Sequence, residues 1–284
     1  MTLIVARKTG NEIRMYSDAR ISYPDQLRNS PLKGALKLIT INDICIGYAG
    51  NFHVALDSIR KIRKLNLNDY GQVIESLFEA HNESNSDVDF IIATYRPTLM
   101  LIRITNGIVE MDLDSTWIGD PEVFSKYQEL YHSVTPVKSE VESEEQDQQY
   151  EVASRMGDAL GRVVREGKYE SVGDFTISVR SSVEGFKYLG NAMVFPVSQE
   201  IPSGVATKIE FGTAQQGGYA YSILWSQTPN VGAIAVHFYQ GNVGALYHPL
   251  ERDEAIVYSE VTFERFKELV ENDYGFKIDG IKIS

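Results

Sequence analysis

Four residues in the first fifty could do chemistry together. Thr2 stands directly behind Met1 in "MTLIVARKTG". Asp18 closes "MYSD", Lys37 lies in "GALKLI", and Gly47 follows "ICI" in "ICIGYAG". A threonine hydroxyl is a weak nucleophile because its own pKa is high. Once Met1 is removed, Thr2 carries a base on the same residue: its α-amine, with a pKa of about 7.7–8.0, is partly neutral near pH 7 and can take the hydroxyl proton. A lysine ammonium nearby would lower the amine pKa by like-charge repulsion and steady the forming alkoxide. A carboxylate would keep that lysine charged and aimed. The N–H of Gly47 would serve an oxyanion, since glycine lets a carbonyl come close. The chemistry is amide hydrolysis through an ester on Thr2.

Each residue also has a plain structural reading. Asp18-Ala19-Arg20 fits a turn with a surface ion pair, Lys37 a solvated strand end, and Gly47 with Gly50 a strand-to-helix turn. Rival chemistries find little support. Cys45, the sole cysteine, sits between isoleucines and reads as a buried strand residue; it excludes an internal disulfide. The five histidines, His53, His81, His132, His237 and His248, show no ligand spacing, so no metal and no cofactor are expected. There is no GxxxxGK[ST] loop and no GxSxG elbow. "GNVG" is too short to signal a dinucleotide.

The elements that must position the four residues are two consecutive hairpins. Residues 3–6 and the segment "GNEIRMYSDAR" pair across Thr9-Gly10-Asn11. "LKLITI" and "ICIGYAG" pair across Asn42-Asp43, with irregular chain over residues 19–35. Side by side, the hairpins can bring Thr2, Asp18 and Lys37 to one end of a sheet. Asn51 caps a helix with Ala55, Ile59 and Ile62 on one stripe, and "DYGQVIESLFEAH" forms the next. Strands follow in "DFIIATY", "TLMLIRIT" and "GIVEMD", then a helix in "PEVFSKYQELYHS". The acidic stretch Lys138–Glu151 has almost no large apolar residue and reads as an exposed flexible loop. A helix resumes with Val152, Met156, Leu160 and Val163 and ends at Gly167. "FTISVRS" and "FKYLG" are strands. Beyond residue 200, "GGYAYSILWSQ", "GAIAVHFYQ" and "VGALYHP" suggest an aromatic antiparallel sheet, and "TFERFKELVENDYG" a final amphipathic helix. This order suits a sheet sandwich covered by helices.

The charge balance excludes further classes. With 27 Lys and Arg against 39 Asp and Glu, the net charge is −12, and nucleic-acid binding is not expected. "RKIRKL" fits the C-terminal end of a helix. No apolar run is long enough to span a bilayer and no secretory leader is seen, so a cytoplasmic, membrane-free protein is expected.

The segment Thr2–Asn51 resembles the opening of proteasome β-subunits and of the bacterial proteolytic subunits of ATP-dependent ring proteases. That family begins Thr-x-Ile/Val-Val, places an Asp sixteen residues after the nucleophile, then a Lys before an aliphatic residue, then Gly-x-Ala-Gly before the first helix. Here these are "TLIV", Asp18 in "SDAR", Lys37-Leu38 and "GYAGN". The likeness continues loosely through "WIGDP" and fades near residue 200. It implies an α+β, four-layer αββα N-terminal-nucleophile hydrolase fold over residues 1–200, with an added β-rich module and terminal helix over 201–284. It also implies threonine-type peptide hydrolysis, assembly into a ring-like homo-oligomer, peptide or unfolded-protein substrates and an ATP-dependent unfoldase partner.

The resemblance marks Thr2, Asp18 and Lys37 as catalytic, Gly47 as oxyanion donor, and Arg20, Gly119, Ser171 and Asp174 as supporting. Two motifs depart from it. Ile118-Gly119-Asp120-Pro121 stands where the family has Ile-Gly-Ser-Gly, and Asp120 would raise the α-amine pKa. "KYESVGDF" replaces Asp-x-x-Ser-Gly-Gly, with Ser171 or Asp174 as substitutes. These departures suit a second reading, a proteasome-fold scaffold or interaction protein without activity. A third is an amidohydrolase for a small molecule.

Overall fold

The two hairpins expected at the start form, but they enter different sheets. The computed structural model describes residues 2–20, 35–65, 69–133, 144–173, 175–195, 219–226, 231–239 and 241–283. Strands β1 (Leu3–Thr9) and β2 (Glu12–Asp18) pair antiparallel, with Ile4 opposite Ser17. They are joined by β8 (Ser115–Gly119), β9 (Thr176–Ser182) and β10 (Gly185–Tyr188) in the order β10-β9-β2-β1-β8. Strands β3 (Leu38–Ile41) and β4 (Ile44–Gly50) start a second sheet. It continues through β5 (Val88–Thr94), β6 (Met100–Thr105) and β7 (Ile108–Glu110) in sequence order. Asn42, at φ 52°, makes the tight β3–β4 turn, a backbone state that asparagine tolerates.

Alternation decides which faces meet. Ile4, Ala6, Ile13 and Met15 of the first sheet pack on Leu38, Cys45, Ile91 and Ala93 of the second. The opposite faces take the helices. α1 (Phe52–Ile62) and α2 (Tyr70–Glu83) lay Ile59, Ile62, Val73 and Leu77 on Ile39, Ile46 and Phe90. α3 (Pro121–Ser133) and α4 (Glu144–Glu166) lay Val123, Met156, Leu160 and Val163 on Leu3, Val5 and Tyr16. The architecture is therefore the expected αββα sandwich. Asn51 caps α1, accepting from the Val54 N–H. Burial pushes the Cys45 thiol up, so it stays a protonated core residue. No helix among the described residues is long and apolar enough to cross a membrane.

The acidic stretch needs a correction. α4 begins at Glu144, so residues 144–151 are helical rather than loop, while 138–143 lie outside the described residues. Glu and Gln favour helix, and the buried stripe from Val152 onward anchors a rod that its exposed start merely extends. A Glu151–Arg155 ion pair at 2.8 Å joins the two parts. The irregular segment expected over 19–35 falls largely at residues 21–34, also outside the described residues. Its ends are tied: the Ala35 N–H donates to the Ala19 carbonyl at 2.9 Å.

The aromatic sheet is present and starts earlier than expected. β11 (Asn191–Phe195) pairs with β12 (Tyr219–Ser226), so the sheet begins ahead of the boundary expected at residue 200. β13 (Ile234–Phe238), β14 (Val243–Tyr247) and β15 (Ile256–Tyr258) extend it, and β16 (Ile278–Gly280) pairs with β12. One face turns Tyr221, Val236, Phe238 and Tyr247 into the same core as Met15 and Phe175. The other turns Leu224, Ala235 and Leu246 onto Phe266 and Val270 of α5 (Phe263–Tyr274). α5 is bounded by Thr262, which accepts from the Arg265 N–H, and by Gly275 at φ 71°.

Two buried histidines lie in and just beyond this third sheet, His237 in β13 and His248 directly after β14. Burial lowers the pKa of both His237 and His248. The unfolded chain therefore binds their protons first, and stability is full above the ordinary histidine pKa of about 6.5 and declines as pH falls through it. The melting temperature should drop between about pH 7 and about pH 5. A His237→Gln variant, which keeps a donor for the Val261 carbonyl, should show a shallower drop.

Candidate active site

Three chain segments converge where β1 begins, β2 ends and β3 is about to start. Thr2 precedes β1, Asp18 closes β2 and Lys37 precedes β3. All three are buried, at 2%, 0% and 4% exposure. The Lys37 ammonium donates to Thr2 Oγ1 at 2.5 Å and to Asp18 Oδ2 at 2.9 Å. The Thr2 hydroxyl in turn donates to Asp18 Oδ1. The two sheets thus supply the two ends of one polar triad.

The Asp18 carboxylate is the hub. Beyond Thr2 and Lys37, Oδ1 accepts the Leu3 N–H at 3.2 Å. Oδ2 accepts the Arg20 N–H at 3.0 Å and the Gly173 N–H at 3.4 Å. A buried carboxylate must have its lone pairs satisfied, and these donors together with Lys37 do so. The backbone donors carry no residue-type signal, so sequence alone gives no hint of them.

Gly119 and Asp120 fix Thr2 from the other side. The Asp120 N–H donates to the Thr2 carbonyl at 2.8 Å. Gly119 has φ +113°, and a Cβ there would lie 2.0 Å from the Thr2 oxygen. Only glycine fits there, against the backbone of Thr2. Asp120 is turned to another task. Its Oδ1 accepts the N–H groups of Glu122 and Val123, capping α3 ahead of Pro121, and its Oδ2 accepts the Ser171 hydroxyl at 2.7 Å. Ser171 therefore reaches the site through Asp120. Arg20 lays its guanidinium over Gly173, where a Cβ would be 2.2 Å from its Cζ. Asp174 lies outside the described residues.

Gly47 is placed differently from its expected role. It sits inside β4, between Leu38 of β3 and Ile91 of β5. The next N–H, that of Tyr48, donates to the Lys37 carbonyl at 3.2 Å, so alternation turns the Gly47 N–H toward β5. A Cβ at Gly47 would press on Ile4, Leu38 and Met15 at 3.2 Å each. The glycine serves close packing of the two sheets, and its N–H is engaged in the ladder. Among the described residues no group of three or more His, Cys, Asp or Glu could hold a metal.

The chain is similar in fold to several solved structures. BPH from Thiobacillus denitrificans in complex with epoxomicin is 14% identical over 63% of this chain and 97% of that one, with a TM-score of 0.44. Eukaryotic HslV from Trypanosoma brucei is 16% identical over 63% and 98%, with a TM-score of 0.45. Anbu (ancestral beta-subunit) from Yersinia bercovieri is 18% identical over 66% and 87%, with a TM-score of 0.47. No family model matches the sequence, and no curated protein matches it. The likeness is one of fold; the chemistry of the site rests on its own atoms.

Gly119→Ala tests how tightly Thr2 is held. Its Cβ would collide with the Thr2 carbonyl, so the cost should be about 2–4 kcal/mol. Gly167→Ala, at φ +60° with nothing within 4 Å, should cost only about 1 kcal/mol. Thermal or urea unfolding of the two variants checks the difference.

Proposed function

We propose that this chain is a threonine-type peptidase that uses Thr2 as an N-terminal nucleophile after loss of Met1. The observation that carries this reading is the Thr2 hydroxyl held between the Lys37 ammonium at 2.5 Å and the Asp18 carboxylate. A structural ion pair would satisfy Lys37 and Asp18 with each other; here both also engage a hydroxyl beside a prospective free amine.

In the proposed reaction the freed α-amine takes the hydroxyl proton as Oγ1 attacks the substrate carbonyl carbon. The Lys37 ammonium steadies the oxygen while the new C–O bond forms. The resulting ammonium returns its proton to the leaving nitrogen as the C–N bond breaks, leaving an ester on Thr2. Water then attacks the ester, the amine takes its proton, and cleavage of the C–O bond releases the acid and restores the hydroxyl. Asp18 aims Lys37 throughout.

The resemblance adds peptide or unfolded-protein substrates, a ring-like homo-oligomer and an ATP-dependent unfoldase to this reading. Light scattering reads the assembly state. A second reading, the same fold without the reaction, is favoured by two observations: Thr2 is only 2% exposed, and the Gly47 N–H faces β5.

Intact mass before and after treatment with epoxomicin separates the two. The active reading expects a chain lacking Met1 and an adduct on residue 2. The adduct should be absent in Thr2→Ala, and hydrolysis of a fluorogenic peptide should fall at least about 1,000-fold there. Lys37→Met should lose a similar factor. The rate should rise with pH through the amine pKa, at or below about 7.7–8.0 because the Lys37 charge disfavours the protonated amine. Retained Met1, or an epoxomicin-inert protein that has lost Met1, supports the scaffold.

A further inference from the structure

A second place on the molecule has the build of a ligand site. A cavity of about 430 Å³ opens beside β1, β8 and α3. None of Thr2, Asp18 and Lys37 lines it. It flanks Arg7, five residues along β1 from Thr2, or about 17 Å at the rise of a strand. Its volume lies in the range that holds small molecules.

Its walls are aromatic. Trp117 stacks on Phe124 with ring centroids 4.1 Å apart and planes 12° from parallel, and Tyr127 and Tyr131 continue the surface along α3. Such faces suit a flat ring. Its polar groups are cationic or neutral. Arg7 donates to the Tyr131 hydroxyl at 3.0 Å, and its Cζ lies 5.7 Å from the centre of that ring. Tyr131 therefore holds the guanidinium in place. No carboxylate among the described residues pairs with Arg7, in a protein whose net charge is −12. The neighbouring Arg103, by contrast, is bound to Glu110 at 2.6 Å. Arg7 thus keeps most of its donor fork for another partner.

We propose that this cavity is a binding site for a small aromatic anion, its ring against Trp117 and Phe124 and its carboxylate or phosphate on Arg7. The site does not depend on hydrolysis at Thr2, so it stands or falls separately from the proposed reaction.

Titration calorimetry with phenylacetate, phenyl phosphate and the neutral phenylacetamide tests it. At least one anion should bind saturably at one per chain, with the amide at least about tenfold weaker. Which anion binds tighter identifies the acid group. Arg7→Gln should weaken the anion about tenfold and Arg7→Lys less, since lysine keeps charge but loses the planar fork. Arg265→Gln, on exposed α5, should change nothing. Melting temperatures confirm that each variant is folded. The inference is overturned if neither anion gives saturable heat, if the amide binds as well, or if folded Arg7→Gln and Arg7→Lys both bind with full affinity.

Discussion

A carboxylate with no exposure to water must collect donors from whatever chain is within reach, and Asp18 collects five of them. They come from four places: the start of β1, two residues beyond β2, the residue before β3, and the turn ahead of β9. Burying a lysine with its carboxylate costs several kcal/mol per ion before their attraction returns any of it. The balance is tolerable only if the remaining lone pairs are satisfied, which the Leu3, Arg20 and Gly173 N–H groups accomplish. The same contacts that make the charge affordable also fix where Thr2 and Lys37 lie. Removing Lys37 would leave a buried charge with no counter-ion, a loss of about 3–5 kcal/mol. Stability and site geometry are one constraint here.

The third sheet bears on that constraint through Phe175. This residue lies two positions beyond Gly173, whose N–H reaches Asp18, and its ring meets Tyr221, Phe238 and Tyr247 at 5.8–6.3 Å. Three aromatic contacts of this kind contribute about 0.5–1.5 kcal/mol each beyond their burial. Within the sandwich itself, Tyr188 of β10 ties the first sheet to the second, donating to the Leu38 carbonyl at 2.8 Å, just past Lys37. The third sheet shares the core of the sandwich rather than hanging from it as an appendage. Its other face would be exposed hydrophobic surface without α5, which explains why the chain continues to an amphipathic helix after the strands.

How much of this could be read from the chain alone follows from what kind of group does each job. Thr2, Asp18 and Lys37 act through side chains, so their types and spacing are visible, and the two hairpins that deliver them follow from alternation and turn residues. Helix α1 was legible in its Asn51 cap and its stripe. Gly47 was not, because its role depends on which way one N–H points, and that is fixed by ladder parity across a hairpin with a two-residue turn. The partners of Asp120 are hidden in the sequence for a related reason: its carboxylate takes the free N–H groups of α3 and the Ser171 hydroxyl. Residues 144–151 are too polar to predict as helix from burial, since the apolar anchor lies entirely downstream of them. The Asp18 donors Leu3, Arg20 and Gly173 use only backbone, which every residue carries.

The hydroxyl of Thr2 now poses a specific electrostatic problem for the proposed reaction. As it stands it receives a proton contact from Lys37 and gives one to Asp18. Were the proton simply removed, the alkoxide would keep its lysine but face a carboxylate oxygen at hydrogen-bond distance. That repulsion is tempered because the Leu3 N–H draws on the same Oδ1, while Lys37, Arg20 and Gly173 hold the other oxygen. It also gives the alkoxide a reason to leave: turning about χ1 away from Asp18 relieves the repulsion and carries Oγ1 toward an incoming carbonyl carbon. Lys37, on a flexible stem, can follow it. In this view Asp18 holds the resting hydroxyl in a stable, unreactive orientation, and loss of the proton to the α-amine is what releases it. A site built in that way stays inert until Thr2 becomes the first residue of the chain, because with Met1 attached there is no amine to accept the proton.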